Sequence, residues 1–429
     1  LTKSQTASNR KTWTLSFWFK RTKVNADLQY TFQANVSSST VFDIMLNGTT
    51  DWRISDYTSG SRSLAFYSTV PLRDASAWYH LVVACDTTQS TSTDRFKIYL
   101  NGVQVDTISG YFSTAQYPAE DYETNINNSA ATLSIGKSIS ASTNFCGYMA
   151  EVNFIDGLMK DEEDFGEFDS DSGIWIPKQY TGSYGNEGYY LDFADASDLG
   201  DDESGNGKDF AENNITSADQ ATDTPTNNFA TWQTNINYNP TVSADFSFSE
   251  GGTSPKRNSG NVHVYCVSTL GMSSGKWYME YKVRDNTDYV YFGGAPITKF
   301  LFENYNGYYL GQDGGGSLGY GVRDGYIYYW TGANDQYTET NSTGDIIGVA
   351  LDKDNDKIAF SKNGTYMQGS NGVRSDPTTP STMHEVQAPL YFWAMGAFSG
   401  DVEYETNFGG YTTMSISSAA SDANGYGTF

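Results

Sequence analysis

The stretch EFDSD carries Glu167, Asp169 and Asp171 at alternate positions, the spacing in the chain most suggestive of catalysis. On a strand, period-two spacing would put all three carboxylates on one face. Retaining glycoside hydrolysis uses two carboxyl groups about 5 Å apart, one of them kept protonated. That protonation requires burial beside apolar neighbours. Here DEED precedes and Ser-Gly follows, so the surroundings predict a solvated loop rather than an acid–nucleophile pair.

Other catalytic patterns fail in the same way. His80, His263 and His384 lie far apart, and HEVQA lacks the second histidine of a zinc-protease helix. His80, inside WYHLVV, reads as a packing residue. Ser317 in GGSLG has nucleophile-elbow spacing but sits in a glycine-rich loop, without the strand–turn–helix context. GMSSGKW is one residue short of a phosphate loop and places Trp277 where a hydroxyl must hold the metal. Cys85, Cys146 and Cys266 form no CxxC pair and no disulfide framework. The chain is therefore not expected to be an enzyme.

Binding a sugar asks for less: aromatic rings for its apolar faces, and hydrogen bonds from Asp, Asn and backbone amides. Three loops have that composition. TTDWRISDYTSG offers Asp51, Trp52, Asp56 and Tyr57; GYFSTAQYPAEDYETN offers Tyr111, Tyr117, Asp121 and Tyr122. FENYNGYYLGQDGGG offers Asn304, Tyr305, Tyr308, Tyr309 and Asp313. Loop aromatics also pack between subunits, so assembly is the competing use.

The elements that would hold such loops are short strands. The 429 residues are only 38% hydrophobic but 15% aromatic, and apolar residues come in runs of four to eight between Asn, Asp, Gly, Ser and Thr. TWTLSFWFKR, VFDIML, SLAFYS, WYHLVVAC and RFKIYL alternate in the first half; KWYMEYKV, DIIGVALD, KIAFSKNG and PLYFWAMGA do so in the second. Asn101-Gly102 and Asn363-Gly364 each follow an alternating strand, the strongest short hairpin signal. MKDEEDFGEF predicts one or two helical turns. The reading is all-β: two antiparallel β-sandwich domains in tandem, residues 1–215 and 244–429, joined by a polar linker at 216–243.

The net charge of −25 argues against a nucleic-acid partner. Residues 151–223 hold most of it, 20 acids against 3 bases, while 1–150 hold 11 against 12. A solvated face explains this block. DASDLGDDESGNG also has enough oxygens for Ca²⁺, without EF-hand spacing, so calcium is left open and no other cofactor is expected. There is no apolar run long enough to span a bilayer, so membrane insertion is not expected. The ends, LTKSQTASNR and ANGYGTF, read as cuts from a longer polypeptide.

Residues 1–215 resemble laminin-G-like, concanavalin-A-like domains through TLSFWFKR, AWYHLVVACD with FKIYLNGVQV, and LSIGK followed by FCGYMAEVNFIDG. The strand such domains carry ahead of TWTLSFW is absent or truncated here. From about residue 245 the chain resembles a SPRY domain through SSGKWYMEYKV, GDIIGVALDKDNDKIAFSKNG and PLYFWAMGAFSGDVEYETNFGG. Their order, with DFGEFDSDSGIWIPKQYTGSYG and DTPTNNFAT between them, resembles fibre-like or capsid-associated virion proteins of marine and cyanobacterial tailed bacteriophages. The resemblance implies jelly-roll sandwiches on a virion surface, homo-oligomeric assembly, and other virion proteins and host or environmental polysaccharide as partners. The expected role is adhesion to glycans without catalysis. A purely structural virion role, a polysaccharide depolymerase and a secreted lectin stay open beside it.

Overall fold

Strand Thr12–Arg21 is buried along nearly its whole length, although its residues alternate in polarity. Both of its faces must therefore be covered, and the architecture shows how. The computed structural model describes residues 1–24, 27–48, 51–139, 143–233, 246–257, 264–284, 289–296, 310–311, 318–321, 325–329, 334–337, 339–370, 372, 374–386, 389–398, 403–416, 419–421 and 427–429. The chain divides into two units, Leu1–Asn228 and Phe229–Phe429.

The first unit runs β1 (Thr2–Ser4), β2 (Thr12–Arg21), β3 (Leu28–Ser37), β4 (Thr40–Asn47), β5 (Asp51–Thr58), β6 (Ser61–Ser68), β7 (Trp78–Asp86), β8 (Phe96–Leu100), β9 (Val103–Gln104), β10 (Phe112–Gln116), β11 (Thr132–Ile135), β12 (Gly147–Asp156), β13 (Gly166–Phe168), β14 (Trp175–Pro177) and β15 (Tyr189–Leu191). A seven-stranded sheet, β1-β11-β3-β4-β5-β6-β10, packs on a six-stranded one, β15-β12-β2-β7-β8-β9. Trp13, Leu15, Phe17 and Phe19 of β2 meet Phe32, Phe42, Ile44, Trp52, Ile54 and Phe66 in one core. On the other face of the six-stranded sheet, Val82, Tyr99 and Ile155 lie under Phe165, Tyr180 and Tyr184. The stretch around β13 and β14 thus forms a third layer, which is why the period-two pattern of β2 leaves neither set exposed.

The second unit runs β16 (Phe246–Ser249), β17 (Ser254–Arg257), β18 (Val264–Met272), β19 (Lys276–Lys282), β20 (Val290–Pro296), β21 (Leu318–Gly321), β22 (Tyr326–Tyr329), β23 (Asn334–Gln336), β24 (Ile346–Asp352), β25 (Lys357–Lys362), β26 (Thr365–Tyr366), β27 (His384–Glu385), β28 (Tyr391–Ala397) and β29 (Glu405–Asn407). Sheets β18-β28-β20-β21-β22-β23 and β26-β25-β24-β19-β29 enclose Met279, Tyr281, Phe292, Val349, Phe360 and Trp393. The two Asn-Gly turns are built alike. Asn101 and Gly102 have φ of 48° and 76° between the pair Leu100 and Val103; Asn363 and Gly364 have 47° and 79° between Lys362 and Thr365.

Several expectations need adjusting. Of the two alternatives for the strand ahead of β2, absent or truncated, the structure has the truncated one: the three-residue β1, paired with β11. TTDWRISDYTSG is mostly strand β5, because Trp52 and Ile54 alternate with Asp51, Arg53 and Ser55 and enter the core. Residues 112–116 are likewise the edge strand β10. The helical expectation shrinks to a 3-10 turn at Glu162–Asp164. Among the described residues, no helix is long and apolar enough to cross a membrane. Within the segment read as a linker, Asp223 is buried in the first unit: its Oδ2 accepts from Lys20 Nζ at 2.7 Å and its Oδ1 from Trp78 Nε1 at 2.9 Å. Trp232 belongs to the second unit's core. Residues 234–243 lie outside the described residues.

Candidate functional site

Side chains that leave the core of the seven-stranded sheet gather on its outer face at β5, β6 and β10. Arg53 lies opposite Tyr67, and Tyr57 lies opposite Arg62. The pairing skips Ser63, a bulge that re-aims Arg62 beside the tyrosines. The Tyr57 and Tyr67 hydroxyls are 3.0 Å apart. Both guanidinium carbons lie over the Tyr67 ring, that of Arg53 at 4.7 Å and that of Arg62 at 5.5 Å from its centre. Arg53 also donates to Asp51 Oδ2 through Nε and Nη2, at 3.0 and 2.9 Å. Arg62 donates to Gln116 Oε1 at 3.1 Å and to the Tyr67 hydroxyl, and among the described residues no carboxylate pairs with it. Burial, then the Tyr67 hydroxyl, holds the Tyr57 proton above the ordinary phenol range. Tyr122 joins at the rim, its hydroxyl 2.9 Å from Thr58 Oγ1.

Asp43 lies under the same face, opposite Ser55, whose Oγ donates to it at 2.6 Å. Burial raises its carboxyl to about 6, against the pull of that hydrogen bond and of Arg53.

The structure separates the residues named from composition. Asp51, Tyr57 and Tyr122 belong to the face just described. Trp52, 2% exposed, and Asp56, 0% exposed, point inward from β5 and have no surface to offer a ligand. Asp56 accepts from the Asn125 backbone N–H at 3.0 Å and from its side-chain amide, and burial lifts its carboxyl to about 7. Tyr111 packs against Trp52, and Tyr117 against Phe66, at the edge of the core. Asp121 is paired with Lys11 at 3.0 Å. Asn304, Tyr305, Tyr308, Tyr309 and Asp313 lie outside the described residues, as do His263 and Ser317. Composition alone missed Arg53, Arg62, Tyr67 and Gln116. Alternation would have separated Arg53 from Trp52, but the place of Arg62 depends on the bulge.

The catalytic-looking groups are held in structural roles. Asp169 closes its own turn, accepting from Asp171 N, Ser172 N and Ser172 Oγ, which holds its carboxyl below the ordinary range. Ser16 Oγ and His80 Nε2 stand 2.8 Å apart, the spacing of a nucleophile and its base. However, Trp175 Nε1 donates to His80 Nδ1 at 2.9 Å, and an indole N–H can only donate. The ring proton is therefore on Nε2 and points at Ser16, the wrong tautomer for a base. Burial also holds the imidazole down at about 3. In the acidic block, Asp202 spends Oδ1 on Tyr190 N and Ser204 N, and Oδ2 on Lys208 N and Ser204 Oγ. Among the described residues no cluster of His, Cys, Asp or Glu could hold a metal ion.

Residues 1–163 match the family model of the concanavalin A-like lectin/glucanases superfamily, laminin-G type, and residues 276–386 match the SPRY domain model. The chain thus carries a laminin-G-like domain followed by a SPRY domain. No curated protein matches it significantly. Among solved structures, the SPRY domain of human HERC1 is 16% identical, covering 40% of this chain and 94% of that one, with a TM-score of 0.29. Domain 4 of AbnA, a GH43 extracellular arabinanase from Geobacillus stearothermophilus solved with arabinotriose, is 15% identical, covering 36% and 64%, with a TM-score of 0.26. A heptameric SAP-like pentraxin from Limulus polyphemus is 13% identical, covering 37% and 70%, also at 0.26. Similarity at this level carries no functional weight.

Proposed function

We propose that the chain is a virion-surface adhesion protein of a tailed bacteriophage, fibre-like, that binds host or environmental polysaccharide through the Tyr57–Tyr67–Arg62 face without covalent chemistry. One observation carries the binding reading: two guanidiniums lie over one tyrosine ring, with Arg62 exposed, in a chain whose net charge is −25. A cation left without a carboxylate partner in so acidic a molecule is suited to an anionic group, so sugars bearing carboxylates or sulfates are the expected class. Tyr57, Gln116 and Tyr122 supply the neighbouring hydrogen bonds. The order of a laminin-G-like and a SPRY domain supports the virion location.

Binding without catalysis is favoured by spacing. Asp43 and Asp51 share the outer face, but Asp43 lies opposite Ser55, four residues along β5 from Asp51. At about 3.3 Å per residue their backbone positions are ~13 Å apart, whereas glycosidase pairs hold their carboxyl groups roughly 5 to 9.5 Å apart. The test is an array of neutral, uronic-acid and sulfated polysaccharides, read with calcium and after chelation. Retention on acidic glycans that weakens with salt and is unchanged by chelation is expected. Silence on every glycan from folded protein would leave a purely structural virion role.

A further inference from the structure

The most exposed large apolar side chains on record in the first unit are Ile174 (62%), Phe168 (59%) and Val103 (50%). Phe168 and Ile174 share the β13–β14 hairpin with Trp175, and Val103, distant in sequence, follows the glycine that faces the Trp175 ring. Phe168 pairs with Trp175 across the β13–β14 hairpin, ring centres 4.9 Å apart edge to face. Ile174 precedes Trp175 in the chain. Val103 follows Gly102, where an added Cβ would lie 2.6 Å from the Trp175 ring. Trp175 itself is buried against His80, rings 6.1 Å apart and stacked, and His80 stacks on Trp18 at 4.6 Å. The apolar tip therefore rests on a buried, hydrogen-bonded aromatic column and is held in place before any partner arrives.

Residues 161–171 of the same stretch hold seven carboxylates; Lys160 pairs with Asp164 at 3.4 Å and Lys178 donates to the Glu163 carbonyl at 2.8 Å, which leaves the segment strongly acidic. Glu167 and Asp171 are exposed beside Phe168 and Ile174. We infer that the β13–β14 hairpin is a docking surface for a protein segment that presents an apolar socket rimmed by lysine or arginine. A rigid aromatic and aliphatic centre within a charged rim is the anatomy of an interface hot spot. Charge disfavours a two-fold contact with a second copy of this chain, which would set the acidic rim against itself in a molecule of net charge −25.

The test uses the full chain and fluorescent peptides with a leucine–tryptophan core, flanked either by arginines or by glutamates. The wild type is expected to bind the arginine-flanked peptide only. The double variant Phe168→Ser/Ile174→Ser, which leaves every charge in place, is expected to bind about tenfold more weakly. Near-UV circular dichroism checks that its packing is intact, and Val103→Ser, outside the hairpin, provides a second reading if it is not. Equal binding by wild type and both variants would reduce the effect to bulk charge and overturn the inference. Failure of the wild type to bind, or self-association of the wild type that the serine variants abolish, would also overturn it.

Discussion

Asp56 and Tyr57 are neighbours on β5 with opposite fates. Tyr57 reaches the outer face, whereas Asp56 is sealed inside with Asn125. The Asp56 carboxyl sits at about 7 when folded, above the ordinary 3.8, because burial disfavours its charge. The folded chain thus keeps this proton when the unfolded chain has lost it. The contribution to stability is complete below about pH 3.8 and is lost as pH rises through about 7. Thermal melts of wild type and Asp56→Asn should therefore diverge with pH. Relative to wild type, the variant should gain stability from pH 5 to pH 8, and a constant offset would contradict a buried, protonated Asp56. His80 has the opposite sign. Its folded value near 3 lies below the ordinary 6.5, so its contribution is complete above 6.5 and is lost as pH falls toward 3.

At the scale of elements, Gly102 and Gly60 separate backbone strain from packing. Both are left-handed, with φ of 76° and 78°, but a Cβ on Gly60 meets open space while one on Gly102 enters the Trp175 ring. Gly60→Ala should cost about 1 kcal/mol from conformation alone. Gly102→Ala should add roughly 1–3 kcal/mol of overpacking and shift the β13–β14 hairpin. Urea titrations with tryptophan fluorescence check this, and equal costs would mean that Trp175 yields freely.

The same elements show what was legible in advance. β2, β7 and β8 stand out because their alternation is dense and aromatic. β5 was misread as a loop because Thr-Thr and Ser-Gly flank it and its outer residues are polar. The hairpin's anchor joins Trp175 to His80 across 95 residues, a contact no local pattern signals. Asn101-Gly102 announced its turn, but not that the glycine must also make room for an indole. Of the candidate face, Asp51, Tyr57 and Tyr122 were visible as polar aromatic sequence. Arg53 follows from the alternation of β5, Tyr67 from the register of β6 on β5, and Arg62 from the bulge at Ser63.

For the whole molecule, where the first unit ends has consequences. Lys20 and Asp223 have side chains 0% and 1% exposed, and they bind residues 216–228 onto the first unit. A fragment ending at 215 would lose Asp223 and Asn228, which accept from the Lys20 ammonium at 2.7 Å each. It should be about 1.5–3 kcal/mol less stable than a fragment ending at 228, through the lost hydrogen bonds to a charged group. Equal urea midpoints would show that the segment contributes nothing. Charge is also partitioned: residues 151–223 hold 20 acids against 3 bases, while 1–150, which contain the tyrosine–arginine face, are close to neutral.

The most direct measurement sets wild type beside the double variant Arg62→Ala/Tyr67→Ala on one array of acidic polysaccharides, with melting curves confirming that both are folded. Wild type should be retained on uronic-acid or sulfated glycans, and the variant should lose about tenfold or more of that binding. Undiminished retention of the variant would contradict the assignment of this face as the glycan site.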